Sequence, residues 1–126
     1  MPIEILFYSG PHFTHFKPEW VCNKIKSVLA EKELEHVICL GLTYKPDVDD
    51  MRESPSLKVY EMLSKCTEIE VSAVDPYVRR SSRINMLSID ALPQENVLFV
   101  GLVAHSDFKE MNRGCNFCLD FANVWQ

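Results

Sequence analysis

Glycine is scarce in this chain, which has only 4 glycines among its 126 residues. They are scattered, at positions 10, 41, 101 and 114, and form neither G-x-G-x-x-G nor G-x-x-x-x-G-K-[ST]. These two loops bring backbone N–H groups against a phosphate at the N-terminus of a helix. Their absence argues against a self-sufficient dinucleotide enzyme of the usual design.

The sequence also lacks an excess of basic residues and a long apolar segment. It carries 13 Lys and Arg against 18 Asp and Glu, for a formal net charge of −5. This balance argues against a nucleic-acid partner, because phosphate contacts need clustered cations. The longest uncharged apolar run, 97–104, is far shorter than the ~20 residues that a membrane span needs. We therefore expect a cytoplasmic protein that binds neither nucleic acid nor membrane, with its cysteines reduced.

Buried apolar runs alternate with helical patterns along the chain. Runs rich in branched and aromatic residues predict strands at 37–42, 69–74, 97–103 and 117–121, with a short strand at 3–8. Helices are predicted at 18–33 and from Pro55 to about residue 65, with Ser54 as N-cap, and shorter ones at 85–92 and 106–111. The alternation predicts an α/β fold: a Rossmann-like open parallel sheet with helices on both faces, preceded by an N-terminal helix.

Residues 43–54 (TYKPDVDDMRES) form a charged loop after the first long buried strand. Ligands of open α/β sheets bind at the edge where such strands end. The loop is longer than the ~2–6 residues that are usual for a βα turn. It combines Lys45 with Arg52, two side chains suited to anionic oxygens. From the residues alone, both a solvated connection and a site for an anion such as a nucleotide diphosphate stay open.

Two other motifs offer weaker candidates. Asp75 ends a strand, where it either caps the turn before Pro76 or acts as a phosphoacceptor. The acidic pair and lysine of a receiver domain are missing at the expected places, which favours the turn. Cys115 and Cys118 have the C-x-x-C spacing of half a zinc site or a redox pair. No second cysteine pair exists, so we interpret them as thiols and predict no metal site.

Five segments of the chain resemble the C-terminal domain of the UDP-glucose/GDP-mannose dehydrogenase family. The most specific is the long charged loop with the helix that follows it, and the others carry the following strands and the helix before them. These segments are GLTYKPDVDDMRESPSLKVYEML (41–63), VSAVDPYV (71–78), KPEWVCNKIK (17–26), LVAHSDFKEM (102–111) and LDFANVW (119–125).

The resemblance implies a UDP-sugar-binding domain of an NAD-dependent nucleotide-sugar dehydrogenase. It implies that Tyr44 and Lys45 contact the UDP-sugar and that Arg52 reaches NAD. The NAD would be bound mainly by an N-terminal domain that this chain lacks. The resemblance also divides the chain into an unassigned segment (1–16), a helix from the end of the central helical region (17–35) and the UDP-sugar-binding domain (36–126).

Two departures from the family pattern qualify this expectation. The family's catalytic cysteine lies in a G-G-x-C segment that is absent here, so we assign no catalytic residue and expect the chain alone to be inactive. Ala122 stands where the family usually has a basic residue in D-x-[RK]-x-[IV]-W. The alternative is a standalone binding or assembly module that has kept the fold and lost the ligand. The apolar stripe of helix 18–33 needs a cover, which in an isolated chain is either its own sheet or a second copy, as in a homodimer.

Overall fold

The computed structural model describes residues 5–7, 17–66, 68–78, 82–114, 116–122 and 124–125. All the predicted strands and both long helices are found, with ends within two residues of those predicted. Among the described residues, no helix is long and apolar enough to cross a membrane. The elements are β1 (Ile5–Phe7), α1 (Pro18–Glu31), β2 (His36–Leu40), α2 (Pro55–Ser64), β3 (Glu70–Val74), β4 (Leu98–Gly101), a 3-10 turn (Ser106–Phe108) and β5 (Phe117–Asp120).

The strands form one parallel sheet in the order β1-β5-β4-β2-β3. Leu40 at the end of β2 is in register with Val74 of β3 and with Gly101 of β4. Gly101 is in register with Asp120 of β5. The strands therefore end together at one edge of the sheet, here called the carboxyl edge. From β2 the chain goes to β3 on one side and then to β4 on the other, which makes the β2–β4 boundary the switch point where such sheets bind ligands.

The sheet separates two apolar clusters because successive strand residues point to opposite faces. On one face, α1 and α2 pack together over Val37 and Cys39 of β2. On the other face, Ile38 and Leu40 are covered by Phe108 of the 3-10 turn and by irregular segments. The predicted α/β fold class is confirmed, with α-helices on the first face and a 3-10 turn on the second.

The helix predicted at 85–92 is wrong. Met86 forms a parallel bridge with Ala73 of β3, the outer strand on that side of the sheet. The Ala73 N–H donates to the Asn85 carbonyl at 2.9 Å, and the Leu87 N–H donates to the Ala73 carbonyl at 2.8 Å. Residues 85–87 thus provide hydrogen-bond partners for backbone groups of an edge strand. These hydrogen bonds favour an extended conformation more strongly than the weak helical periodicity favours a helix. The helix predicted at 106–111 is likewise shorter, a single 3-10 turn.

Candidate functional site

The carboxyl edge collects the loops that follow β2, β3, β4 and β5. Gly41 opens the first of them with a φ of +99°, a conformation that glycine adopts readily. A Cβ at this position would lie 2.5 Å from the Cβ of Val103, so the glycine lets β2 and the segment after β4 approach closely. The Leu102 and Val103 N–H groups both donate to the Leu40 carbonyl, at 3.0 and 3.2 Å. The loops after β2 and β4 are therefore joined at their roots.

His105 lies at the centre of this edge and is fully buried. Its Nδ1 accepts a hydrogen bond from the Asp47 N–H at 2.8 Å. Its Nε2 lies 3.0 Å from Asp75 Oδ2 and 3.2 Å from Thr43 Oγ1. A backbone amide can only donate, so Nδ1 is the acceptor and the neutral ring carries its proton on Nε2. That proton is directed at the Asp75 carboxylate.

Asp75 is the buried acceptor that joins three strand ends. Its Oδ2 accepts from the Leu42 N–H at 2.8 Å as well as from His105, and its Oδ1 accepts from the Tyr77 N–H at 2.9 Å. A buried carboxylate is tolerated when its oxygens are hydrogen-bonded in this way. Asp75 thus links the loops after β2, β3 and β4, and also makes the turn that the sequence indicated.

Asp47 fastens the middle of loop 43–54 to the segment after β4. It has a φ of +59°. Its Oδ1 accepts from the Ser106 N–H at 2.9 Å, the Ser106 hydroxyl at 3.0 Å and the Tyr77 hydroxyl at 3.3 Å. These hydrogen bonds, chiefly those from Ser106, hold the pKa of the Asp47 carboxyl below its ordinary value of 3.8.

Loop 43–54 brings the three predicted contact residues to the carboxyl edge. The Tyr44 N–H donates to the Asp50 carbonyl at 2.7 Å, which closes a small ring of backbone that carries Lys45. Tyr44 is 51% exposed and Lys45 is exposed. Within the described part of the chain, Lys45 forms no salt bridge. Two exposed residues, an aromatic one and a cationic one, are therefore neighbours in the chain at this edge.

Arg52 emerges from the same loop with its side chain 89% exposed. Its Nε and Nη2 donate to Asp50 Oδ1 and Oδ2, both at 3.1 Å, in a two-pronged pair. This pair raises the pKa of Arg52 and lowers the pKa of Asp50. The guanidinium is thus oriented by a neighbour and still open to solvent.

Ser54 ends the loop and begins α2, as predicted. Its Oγ accepts from the Leu57 N–H at 3.3 Å, and its hydroxyl donates to the Thr43 carbonyl at 3.0 Å. One side chain therefore caps the helix and ties the two ends of the loop together.

The turn after β5 contains Ala122, the position at which the family pattern has a basic residue. The buried Asp120 carboxylate accepts from the Ala122, Val124 and Trp125 N–H groups, all at 3.0 Å. The turn is therefore held at the same edge as loop 43–54, with a methyl group where a cation was expected.

The cysteines contribute no described site. Cys115 lies outside the described residues, so the C-x-x-C pair is not seen as a whole. Cys118 is buried, and burial raises the pKa of its thiol to about 11. Burial also raises the pKa of Cys39 to about 12. In the described part of the chain, no group of three or more His, Cys, Asp or Glu side chains could hold a metal ion.

Sequence reasoning missed the network around His105. It gave no role to His105 and placed Asp75 in a turn, without joining the two. The usable signal was that both residues follow buried strands, whose ends meet at one edge of a parallel sheet.

Most of the chain matches the model of a known protein family. The model of the UDP binding domain of the UDP-glucose/GDP-mannose dehydrogenase family matches residues 38–126, which include every residue of the network. The chain belongs to this family.

Several members of the family are similar to this chain over most of its length. The UDP-N-acetyl-D-mannosamine dehydrogenase of Escherichia coli K12 is 32% identical over 129 aligned positions, covering 87% of this chain and 30% of the relative. The enzyme of the same name from Methanococcus vannielii is 36% identical over 98 positions, covering 76% of this chain and 22% of the relative. The chain therefore spans less than a third of the length of these curated relatives.

Solved structures give the same result. The UDP-N-acetyl-mannosamine dehydrogenase of Staphylococcus aureus superposes with a TM-score of 0.76 at 32% identity, covering 85% of this chain and 27% of that one. The corresponding structure from Pyrococcus horikoshii gives 0.70 at 26% identity, covering 86% and 28%. The superposed part of this chain therefore matches just over a quarter of each of these longer proteins.

Proposed function

We propose that this chain is the UDP-sugar-binding domain of an NAD-dependent nucleotide-sugar 6-dehydrogenase, and that loop 43–54 holds the ligand. UDP-N-acetyl-D-mannosamine, after which the relatives above are named, is the substrate we assign. Its oxidation product is UDP-N-acetylmannosaminuronate, a precursor of surface polysaccharides. The observation that carries the proposal is that Tyr44 and Lys45, neighbours in loop 43–54, are both exposed at the switch point of the sheet.

The charges around Lys45 support an anionic ligand despite the acidic composition of the loop. Asp47 is occupied by Ser106 and Tyr77, and Asp50 by Arg52. Both carboxylates accept hydrogen bonds from donors of this chain, and in the described residues neither forms a salt bridge with Lys45. Lys45 is left as a point charge suited to a diphosphate. In this proposal its ammonium group contacts the anionic oxygens of the UDP-sugar.

The ring of Tyr44 suits the other part of the ligand. Aromatic side chains provide a flat surface on which any nucleobase can stack. Tyr44 is half exposed and adjoins Lys45 in the chain. We assign it to the nucleotide end of the UDP-sugar.

NAD would supply the hydride acceptor for the oxidation. The described side chains of this chain suit a single contact to NAD, and they do not form a complete NAD site. Arg52 offers an exposed guanidinium suited to anionic or ribose oxygens. The chain has no glycine-rich phosphate loop, so most contacts to NAD would come from another domain. It also has no G-G-x-C segment, and we expect no turnover of UDP-N-acetylmannosamine by this chain alone.

Calorimetry with UDP tests the proposal directly. We expect saturable binding by the full 126-residue chain, weakened at least about tenfold by Lys45→Ala, because a charge-assisted contact is worth roughly 1.5–3 kcal/mol. Lys65→Ala is the matched control, since Lys65 follows the far end of α2 and is also exposed. It should bind UDP as the parent chain does.

Ala122 favours one other function, a binding or assembly module that has lost the ligand. That alternative predicts a folded chain that takes up no UDP at millimolar concentration. Ala122→Arg, which restores the family's cation beside the Asp120 turn, should then leave the chain unable to bind as well. Binding of UDP by the parent chain would contradict this alternative. Equal losses of affinity in Lys45→Ala and Lys65→Ala would contradict the assignment of loop 43–54 as the UDP site.

A further inference from the structure

His105 contacts loop 43–54, the proposed ligand loop, on both sides of the Tyr44–Lys45 pair. Its Nε2 lies 3.2 Å from Thr43 Oγ1, and that hydroxyl donates to the Lys45 carbonyl at 3.0 Å. Its Nδ1 accepts from the Asp47 N–H at 2.8 Å. The residue before the pair and the residue two positions after it are therefore fixed by one buried ring.

We propose that His105 is a positioning residue, whose neutral Nε2–H tautomer sets the conformation in which Tyr44 and Lys45 meet UDP. The inference rests on the proposed function, because it assigns a role to a residue that supports the ligand loop. His105 is buried beneath that loop and acts through it, without touching the ligand.

The residues around His105 restrict the orientation of its ring. The ring of His105 packs against Tyr77, with centroids 4.7 Å apart, and against Phe108, with centroids 5.4 Å apart. The charged groups that face it are the carboxylates of Asp75, at 3.0 Å from Nε2, and of Asp47, at 4.0 Å from Nδ1. Phe108 and Tyr77 fix the plane of the ring, and Asp75 fixes which nitrogen is protonated.

The two ring nitrogens of His105 have opposite hydrogen-bonding roles. Nδ1 must accept from the Asp47 N–H, whereas Nε2 must donate to Asp75. Lys and Arg carry only donors and ionised Asp and Glu only acceptors, so they satisfy one end alone. Asn and Gln divide the two functions: the Asn oxygen reaches the position of Nδ1, and the Gln amide reaches the position of Nε2.

This division provides the test. His105→Asn keeps an acceptor for the loop and leaves the buried Asp75 without its side-chain donor. His105→Gln keeps the donor to Asp75 and leaves the Asp47 N–H without its acceptor. We expect His105→Gln to be the more stable variant in urea and to bind UDP at least about tenfold more weakly than His105→Asn. A histidine with a purely structural role would instead give UDP affinities that follow stability.

His36→Gln is the matched control. His36 contacts Ser72 and Glu70 at the opposite edge of the sheet, so its loss should leave UDP affinity unchanged. An equal loss of affinity in His36→Gln and His105→Gln would overturn the proposal. So would UDP affinities of the two His105 variants that are equal or ranked as their stabilities are.

The unsubstituted chain provides a second measurement that does not depend on UDP. The imidazole ¹⁵N shifts of His105 should show an unprotonated Nδ1 and a protonated Nε2, and the Asp47 amide should exchange slowly with solvent. If the parent chain binds no UDP, the proposed function fails, but slow exchange lost only in His105→Gln still supports positioning of the loop. A protonated Nδ1, or an unprotected Asp47 amide, overturns the positioning role.

Discussion

Individual residues show why the charge count of this chain is a poor guide to its ligand. Loop 43–54 carries more carboxylates than cations, in a chain with a net charge of −5. Asp47 and Asp50 are nevertheless engaged by donors from the same chain, while Lys45 forms no salt bridge in the part that the structure describes. The electrostatic potential around Lys45 therefore depends on which carboxylates are paired with other groups. The amino-acid composition does not contain that information.

Residues whose side chains suit a ligand directly could be proposed from the sequence. Lys45 and Arg52 stand in a loop that is long for a βα turn, and both side chains suit anionic oxygens. His105 was missed because its partners Asp75 and Asp47 lie 30 and 58 positions away in the chain. Only the order of the strands brings them together, and that order depends on pairing between distant segments.

Asp47 should make the stability of the fold sensitive to acid. Its pKa is lower in the folded chain than its ordinary value of 3.8. A depressed pKa stabilises the fold above the unfolded value, and this contribution is lost as pH falls through the folded value. We therefore expect the free energy of unfolding to fall more steeply between about pH 5 and pH 3 in the parent chain than in Asp47→Asn.

Urea unfolding across that pH range provides the measurement. Asp49→Asn is the control, because Asp49 is an exposed neighbour that lacks the Ser106 contacts. It should retain the acid dependence of the parent chain. Identical pH profiles for the parent and Asp47→Asn would show that Ser106 does not hold the Asp47 carboxylate in solution.

Helices and strands with strong local signals were predictable, whereas a segment shaped mainly by contacts with distant residues was not. The start of α2 was correctly placed because Ser54 and Pro55 are strong helix-start residues. Residues 85–92 were wrongly assigned to a helix because the open edge of β3 recruits them, and that edge is invisible in the local sequence. The segment 106–111 is also shorter than predicted, since it forms a single 3-10 turn.

Ser54 both caps α2 and joins the two ends of loop 43–54, so its substitution removes two hydrogen bonds. Ser54→Ala removes the acceptor for the Leu57 N–H and the donor to the Thr43 carbonyl. We expect a loss of about 1–2 kcal/mol of unfolding free energy. Urea denaturation measures it, with Ser64→Ala as control, because Ser64 is an exposed serine at the other end of the helix. Equal stability of the two variants would mean that Ser54 does not cap α2.

The topology of the whole sheet explains why these loops lie together. The α/β class followed from alternating patterns, whereas the strand order β1-β5-β4-β2-β3 did not, because strand pairing is non-local. That order places the loops after β2 and β4 side by side, with Asp75 after β3 joining them. Loop 43–54 therefore rests on a buried network, while its Tyr44 and Lys45 remain exposed.

The most direct measurement is an amide chemical-shift titration of the ¹⁵N-labelled chain with UDP. Binding through loop 43–54 predicts saturable shifts concentrated at residues 42–54, 75–77 and 102–106, and little change at His36 and Glu70 on the opposite edge. Absence of shifts from a folded chain, or shifts centred on that opposite edge, would contradict the assignment of this loop as the UDP site.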